Sequence, residues 1–182
     1  LGSDVEVLKG LDCLGLYHEK EDAHIPYRNA FLVLLAAFKV KKGSHTIIWL
    51  TTQKDEMSLN DRSYYFYQAI TNLLEVLGLK VTVMTPWLLK DKTEMVQWYV
   101  ENGGDVEELK KSWSCYRPKD LKVPCGDCPA CIRRYIAMTL NGIKEEYAVD
   151  PRKSNTALSY IEATTKGVYS AKRNERILKT LK

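Results

Sequence analysis

Apolar residues occupy nearly every position from Ala30 to Phe38 (AFLVLLAAF), and the run sits between Pro26 and Gly43. The segment is expected to be a helix, opened near Pro26 and stopped at Gly43, with Lys39, Lys41 and Lys42 in its last turn. Being apolar almost all round, it should be central. TIIWLTT, Thr46 to Thr52, is a short β-branched run and reads as a buried strand, followed by the polar loop QKDEMSLND. From Arg62 to Leu77 the residues Phe66, Ala69, Ile70, Leu73, Leu74 and Leu77 fall at helical spacing, with Asn60 or Asp61 as cap and Gly78 as stop. Leu79 to Met84 alternates as a strand and ends at Pro86. Asp91 and Glu94 have capping-box spacing ahead of a helix through Val96 and Tyr99, closed by Gly103 and Gly104.

Alternating strands and helices predict an α/β fold: a parallel sheet with flanking helices. A cysteine-rich loop and a helix from Pro129 to about Gly142 attach at one edge. Two strands make a thin sheet, so Val5 to Leu8 or Leu14 to Tyr17 is a further candidate. Residues 1–142 are expected to form the α/β domain and residues 143–182 a helical tail, with a helix capped at Asn155 and stopped near Gly167, then a frayed basic end.

At 182 residues, 45% apolar and 27% charged, the chain has the makeup of one soluble globular domain, and no apolar run is long enough to span a bilayer. A cytoplasmic location is the expectation. Of 27 Lys and Arg, nine lie in residues 143–182 against five of the 23 Asp and Glu, so the net charge of +4 comes from the tail. Such a tail can follow a polyanion, but its cations are scattered and suit a solvated helix face better.

Cys115, Cys125, Cys128 and Cys131 follow Cys-x9-Cys-x2-Cys-x2-Cys inside WSCYRPKDLKVPCGDCPACIRR. That spacing favours a tetrahedral all-thiolate Zn²⁺ site over disulfides, while an iron-sulfur cluster remains an alternative. Four thiolates fill the shell, so the ion would be structural. Cys13, beside Leu11, Leu14 and Leu16, reads as a buried apolar residue. His18, His24 and His45 have no partner spacing for a triad.

Four segments together resemble the 7-cyano-7-deazaguanine synthases, the QueC family of the adenine-nucleotide alpha-hydrolase-like superfamily. They are IPYRN (residues 25–29), DEMSLNDR before the second helix, TPWLLKDKTEMV with Trp87 in place of the family's Leu, and WSCY followed by CGDCPACIRR. The similarity runs from about His24 to Arg134. It implies an ATP-dependent, zinc-containing ligase that takes 7-carboxy-7-deazaguanine and ammonia to the nitrile in queuosine-type biosynthesis, with Mg²⁺ on the phosphates. It also implies that Arg28, Asn29, Asp61, Arg62 and Lys92 bind substrate or nucleotide, and that Cys115, Cys125, Cys128 and Cys131 bind the metal. Trp113 and Tyr116 could stack on a flat base or pack on the metal loop. Arg133 and Arg134 could meet phosphate or the loop. No catalytic residue is assigned.

The family's Ser-Gly-Gly-x-Asp-Ser phosphate loop is absent from these 182 residues, and the chain opens Leu1, Gly2, Ser3 without a methionine. A fragment of an active synthase is the first expectation. The alternative is a derivative without adenylation, which transfers a deazapurine to a macromolecule or binds nucleic acid or protein. A homodimer, and nucleic acid on the basic tail, are left open as partners.

Overall fold

The computed structural model describes residues 25, 27–41, 43–51, 54, 60–117 and 123–182. Cys13, His18, His24, Pro26 and the two amino-terminal strand candidates lie outside the described residues. The chain divides into two compact units. Described residues up to Leu50 and from 60 to 84 form the first, and Thr51, Lys54 and Thr85 to Lys182 form the second.

In the first unit, helix α1 (Arg28–Ala37) precedes strand β1 (Thr46–Trp49), a 3-10 turn (Asn60–Arg62), helix α2 (Tyr64–Val76) and strand β2 (Val81–Met84). The strands pair in parallel, Thr46 opposite Val81 through Trp49 opposite Met84, so the expected sheet is present in short form. Helix α2 packs on β2 with Tyr67, Ile70 and Leu74 buried, and the Thr71 hydroxyl accepts from the Val83 amide at 2.9 Å.

Three expectations for this unit need correction. Helix α1 stops at Ala37, not Gly43, because the Phe38, Lys39 and Val40 amides turn back to the carbonyls three residues earlier and tighten the helix out of register. Among its residues only Val33 and Ala37 are buried, and Leu32 is exposed, so the helix is not central to the described core. Strand β1 is not buried: Ile47 and Trp49 are 53% and 65% exposed, since β2 is its only neighbour among the described residues. Helix α2 is capped by Ser63, whose Oγ accepts from the Phe66 amide at 3.1 Å, because Asn60 and Asp61 are taken up by the 3-10 turn. His45 is exposed and meets the Thr82 hydroxyl at 3.1 Å.

The second unit is helical: α3 (Lys92–Glu101), α4 (Val106–Lys111), α5 (Pro129–Leu140), a 3-10 turn (Pro151–Lys153), α6 (Asn155–Thr165) and α7 (Ala171–Leu181). The capping box of α3 is complete, with the Asp91 carboxylate accepting from the Glu94 amide at 3.0 Å and the Glu94 carboxylate accepting from the Asp91 amide at 2.9 Å. Helix α5 starts at Pro129 as expected and is the core element. Ala137 and Met138 pack with Val96 and Ile143 on one side, while Ile132 and Ile136 pack with Ala157, Tyr160, Ile177 and Leu181 on the other.

The tail is more ordered than expected. Ser154, not Asn155, caps α6, accepting from the Ala157 amide at 3.0 Å. The supposed frayed end is α7, capped by Ser170, and it buries Ile177 and Leu181, four residues apart, on one face. Helix α4 was not anticipated: within six residues its apolar face is only Val106 and Leu109, which pack against the Val96, Ala137, Met138 and Ile143 cluster, and it is further supported by the Asp105 cap and the Lys110–Glu107 and Lys111–Glu108 pairs. No helix among the described residues is long and apolar enough to cross a membrane.

Candidate metal centre and its surroundings

The Cys-x2-Cys-x2-Cys run ends on the first turn of α5. Cys128 is the cap of that helix, Pro129 fills the next position, where no amide donor is required, and the Cys128 sulfur accepts from the Cys131 amide at 3.4 Å. Cys115 arrives from the extended segment after α4. The four sulfurs lie within 4.8 Å of one another, and Cys125 and Cys131 are 3.8 Å apart. An ion about 2.3 Å from four sulfurs at tetrahedral angles needs them about 3.8 Å apart, so the thiols fit one such ion.

Backbone amides converge on the same sulfurs. Tyr116 and Cys131 donate to Cys128, Arg117 and Cys125 to Cys115, and Asp127 and Cys128 to Cys125, all at 3.3–3.5 Å. Donors of this kind stabilise thiolate over thiol. Burial pushes the Cys128 thiol up, but the Tyr116 and Cys131 amides and the neighbouring thiols outweigh it and hold it at about 7. Burial pushes Cys125 and Cys131 up. A cluster in which one thiol ionises readily and its neighbours resist is what closely packed sulfurs show without a cation; a bound divalent ion favours ionisation of all of them.

Residues after α5 hold this loop. The Ala148 amide donates to the Pro124 carbonyl at 2.9 Å and the Val149 amide to the Cys125 carbonyl at 3.2 Å. The Thr156 hydroxyl donates to the Asp127 carbonyl, and Tyr147 packs on the cysteine cluster. Gly126 is the required residue of the turn: its φ is +81°, and a Cβ there would stand 2.0 Å from the Val149 carbonyl oxygen.

Arg134, expected to meet phosphate or the loop, is buried. Its guanidinium forks onto Glu145 (Nη2 to Oε1 2.6 Å, Nε to both carboxylate oxygens 2.9 Å), and donates to Ser112 Oγ at 2.9 Å and the Leu109 carbonyl at 3.0 Å. The fork ties α4 and α5 to the segment after α5. Tyr147 donates to Glu145 at 2.8 Å, and burial followed by that carboxylate pushes its phenol well above the ordinary range. Nothing in the apolar periodicity marks Glu145, Tyr147 or Thr156, because they act through polar contacts made from a loop and a helix start.

The remaining predicted site residues fall in two groups. In the first unit Asn29 Nδ2 donates to the Asp61 carbonyl at 3.1 Å and Arg62 lies 3.9 Å from the Asp61 carboxylate, so Asn29, Asp61 and Arg62 come together, with Arg28 at the first position of α1. The preceding Tyr27 has φ 61°, the only positive φ of a non-glycine among the described residues, a strained conformation of the kind that collects at functional sites. In the second unit Lys92 reaches the hydroxyl of Ser114, next to Cys115, at 3.4 Å. Trp113 and Tyr116 are both about half exposed; Trp113 Nε1 donates to the Cys115 carbonyl at 3.1 Å, and the Tyr116 hydroxyl accepts from Arg133 at 3.3 Å.

Residues 12–142 match the family model described as queuosine biosynthesis protein QueC. Several curated relatives carry the name 7-cyano-7-deazaguanine synthase, three of them as follows. The protein of Chlorobium luteolum is 31% identical over 71% of this chain and 58% of its own length. That of Methanosarcina mazei is 30% identical over 66% and 51%, and that of Campylobacter curvus 27% over 72% and 59%. The chain thus spans between half and three fifths of the length of these relatives. No solved structure matches. The similarity read from the four sequence segments is borne out, and the chain belongs to the QueC family.

Proposed function

We propose that this chain serves the synthesis of 7-cyano-7-deazaguanine, by ATP-dependent condensation of 7-carboxy-7-deazaguanine with ammonia and conversion of the resulting amide to the nitrile. The observation that supports the reading is family membership over residues 12–142, joined to a four-thiol centre at the end of the matched segment. In this reading the centre holds structural Zn²⁺: sulfur-only ligands at this spacing suit that ion, and a full shell leaves the chemistry to other groups.

ATP answers a specific difficulty. A carboxylate repels nucleophiles, so its oxygen must first be adenylated; ammonia then displaces AMP to give the amide. A second adenylation, on the amide oxygen, lets that oxygen depart with AMP as the amide nitrogen loses its protons and becomes the nitrile nitrogen. Mg²⁺ would screen the phosphates as pyrophosphate leaves. Arg28, at the first position of α1, has the charge to meet an anion at a helix amino terminus, and Asn29, Asp61 and Arg62 form a polar cluster beside it. The phosphate loop that these 182 residues lack belongs, in this reading, to sequence outside them.

The test uses the protein made from its complete gene, zinc-loaded, with 7-carboxy-7-deazaguanine, ammonium, ATP and Mg²⁺. Mass spectrometry is expected to show the amide, then the nitrile, with AMP released in each step. A preparation that carries the phosphate loop and makes neither product overturns the proposal.

A further inference from the structure

Helices α3, α5 and α7 of the second unit meet around a narrow cleft of about 50 Å³. Four cations from these helices line it: Lys92 at the start of α3, Arg133 on α5, and Arg173 and Arg176 on α7. Asp91 is the one acid of the lining among the described residues, so four cations against one carboxylate leave a formal charge of +3. Asp91 pairs with Arg176, and next to them Glu94 pairs with Lys172. Counting that second pair changes nothing, since it adds one charge of each sign.

Aromatic side chains fix two of the guanidiniums. Arg173 lies over the Tyr169 ring at 4.1 Å from its centroid, and that ring is tilted by 32° against Tyr160, which itself lines the cleft. Stacking engages the face of a guanidinium, so it sets the direction of the N–H edge without using it. Arg133 Nη2 donates to the Tyr116 hydroxyl at 3.3 Å, one of the five donors that side chain carries. Arg176 is held by Asp91 with only 18% of its side chain exposed.

Cations gathered at a half-buried cleft repel one another, and a tetrahedral dianion relieves that repulsion while accepting several charge-assisted hydrogen bonds. Guanidinium forks match phosphate oxygens in pairs. The space suits one small anion; pockets for larger ligands start at about 300 Å³. We propose that this cleft binds a phosphate monoester, supplied either as free phosphate or as the 5′-phosphate of a nucleic-acid strand, at a site separate from the chemistry of the synthase. Tyr160, Arg173 and Arg176 lie beyond residues 12–142, so the family signature does not account for it.

Calorimetry on the complete, zinc-loaded protein at low ionic strength tests it, with inorganic phosphate and with one oligonucleotide bearing or lacking a 5′-phosphate. Phosphate is expected to bind, and Arg173→Gln and Arg133→Gln each to weaken it about tenfold, as for one lost charge-assisted hydrogen bond. Lys166→Gln, which removes an exposed cation at the end of α6, is expected to change nothing. Tighter binding of the phosphorylated strand than of phosphate, sensitive to Arg173, identifies the strand end as the source; strands that bind alike with and without their 5′-phosphate identify free phosphate. Should loss of the Tyr169 contact unfold Arg173→Gln, Arg133→Gln carries the test, with retained zinc as the sign of folding. No phosphate binding, or equal loss in all three variants, overturns the cleft. Nitrile formation is expected to be unchanged in Arg173→Gln, and a parallel loss overturns the separateness of the site. A complete protein that binds phosphate through Arg173 but makes no nitrile leaves this site standing and overturns only the synthase reading.

Discussion

At Gly126 two constraints coincide: a left-handed φ of +81°, and a Val149 carbonyl oxygen 2.0 Å from where a Cβ would be. Gly126→Ala is therefore expected to push away the 147–149 segment that bonds to the cysteine loop and to spread the sulfurs, lowering metal affinity ~10-fold or more. Competition with a chromogenic chelator reads it. Arg134 makes a different prediction. Its pairing with Glu145 is almost fully buried, with side-chain exposures of 7% and 9%. Arg134→Met leaves the buried Glu145 carboxylate, among the described residues, with no counter-charge and only the Tyr147 hydroxyl as donor, and should cost about 3–5 kcal/mol in urea unfolding, whereas Arg134→Met with Glu145→Leu should recover most of it. A double variant as unstable as the single one would show that the guanidinium's bonds to Ser112 and Leu109, rather than the charge pair, dominate.

Helix α3 and helix α7 are joined by charge. Glu94 and Asp91, the two capping-box partners, also take Lys172 and Arg176 from α7. Burial alone would raise the Glu94 pKa, but the Lys172 contact, the Asp91 amide and the Arg176 charge hold its carboxyl at about 2, below the ordinary 4.5. A depressed carboxylate contributes stability that is complete above the unfolded value and is lost as pH falls from about 4.5 toward 2. Allowing for solvent screening, the contribution is about 1 kcal/mol. Urea midpoints from pH 5.5 to 2.5 should therefore converge for the native protein and Glu94→Gln as acid is added; a constant gap would refute the role of the charge. The box itself was readable from Asp91 and Glu94, since capping is local, and so was α5, which Pro129 announces. Helix α7 was not: its buried stripe needs only Ile177, Thr180 and Leu181, and the surrounding Lys and Arg masked it. Burial of β1 was overestimated for a related reason, because β-branched content reports strand preference while burial depends on neighbours that a single strand does not encode.

In the second unit, α5 joins three groups of contacts: the cysteine cluster at its start, α3 along one side, and α6 and α7 along the other. Stripping the metal is expected to loosen that unit from the loop outward. Hydrogen exchange should quicken first at the Ala148 and Val149 amides, which donate to the loop, and later at the Ile136 and Ala137 amides within α5. Equal quickening throughout would mean that the metal holds the whole unit rather than its edge. The family's sequence signature covers residues 12–142 and includes all four cysteines, yet Glu145, Tyr147, Val149 and Thr156, which hold the loop in shape, lie beyond it. The cysteine quartet was thus plain in the sequence, while its support was spread over residues whose roles appear only when the chain is folded.

That arrangement has a temporal side. A ribosome finishes Cys131 about 25 residues before Thr156, roughly 1–5 s earlier at ordinary elongation rates. For the first two thirds or so of that interval the sulfurs exist without the brace of 147–149, and throughout it without the Thr156 clasp, so a nascent chain can meet its ion before it can retain it. If the ion is the Zn²⁺ proposed above, starving cells of zinc briefly during synthesis should therefore harm newly made chains more than those already complete.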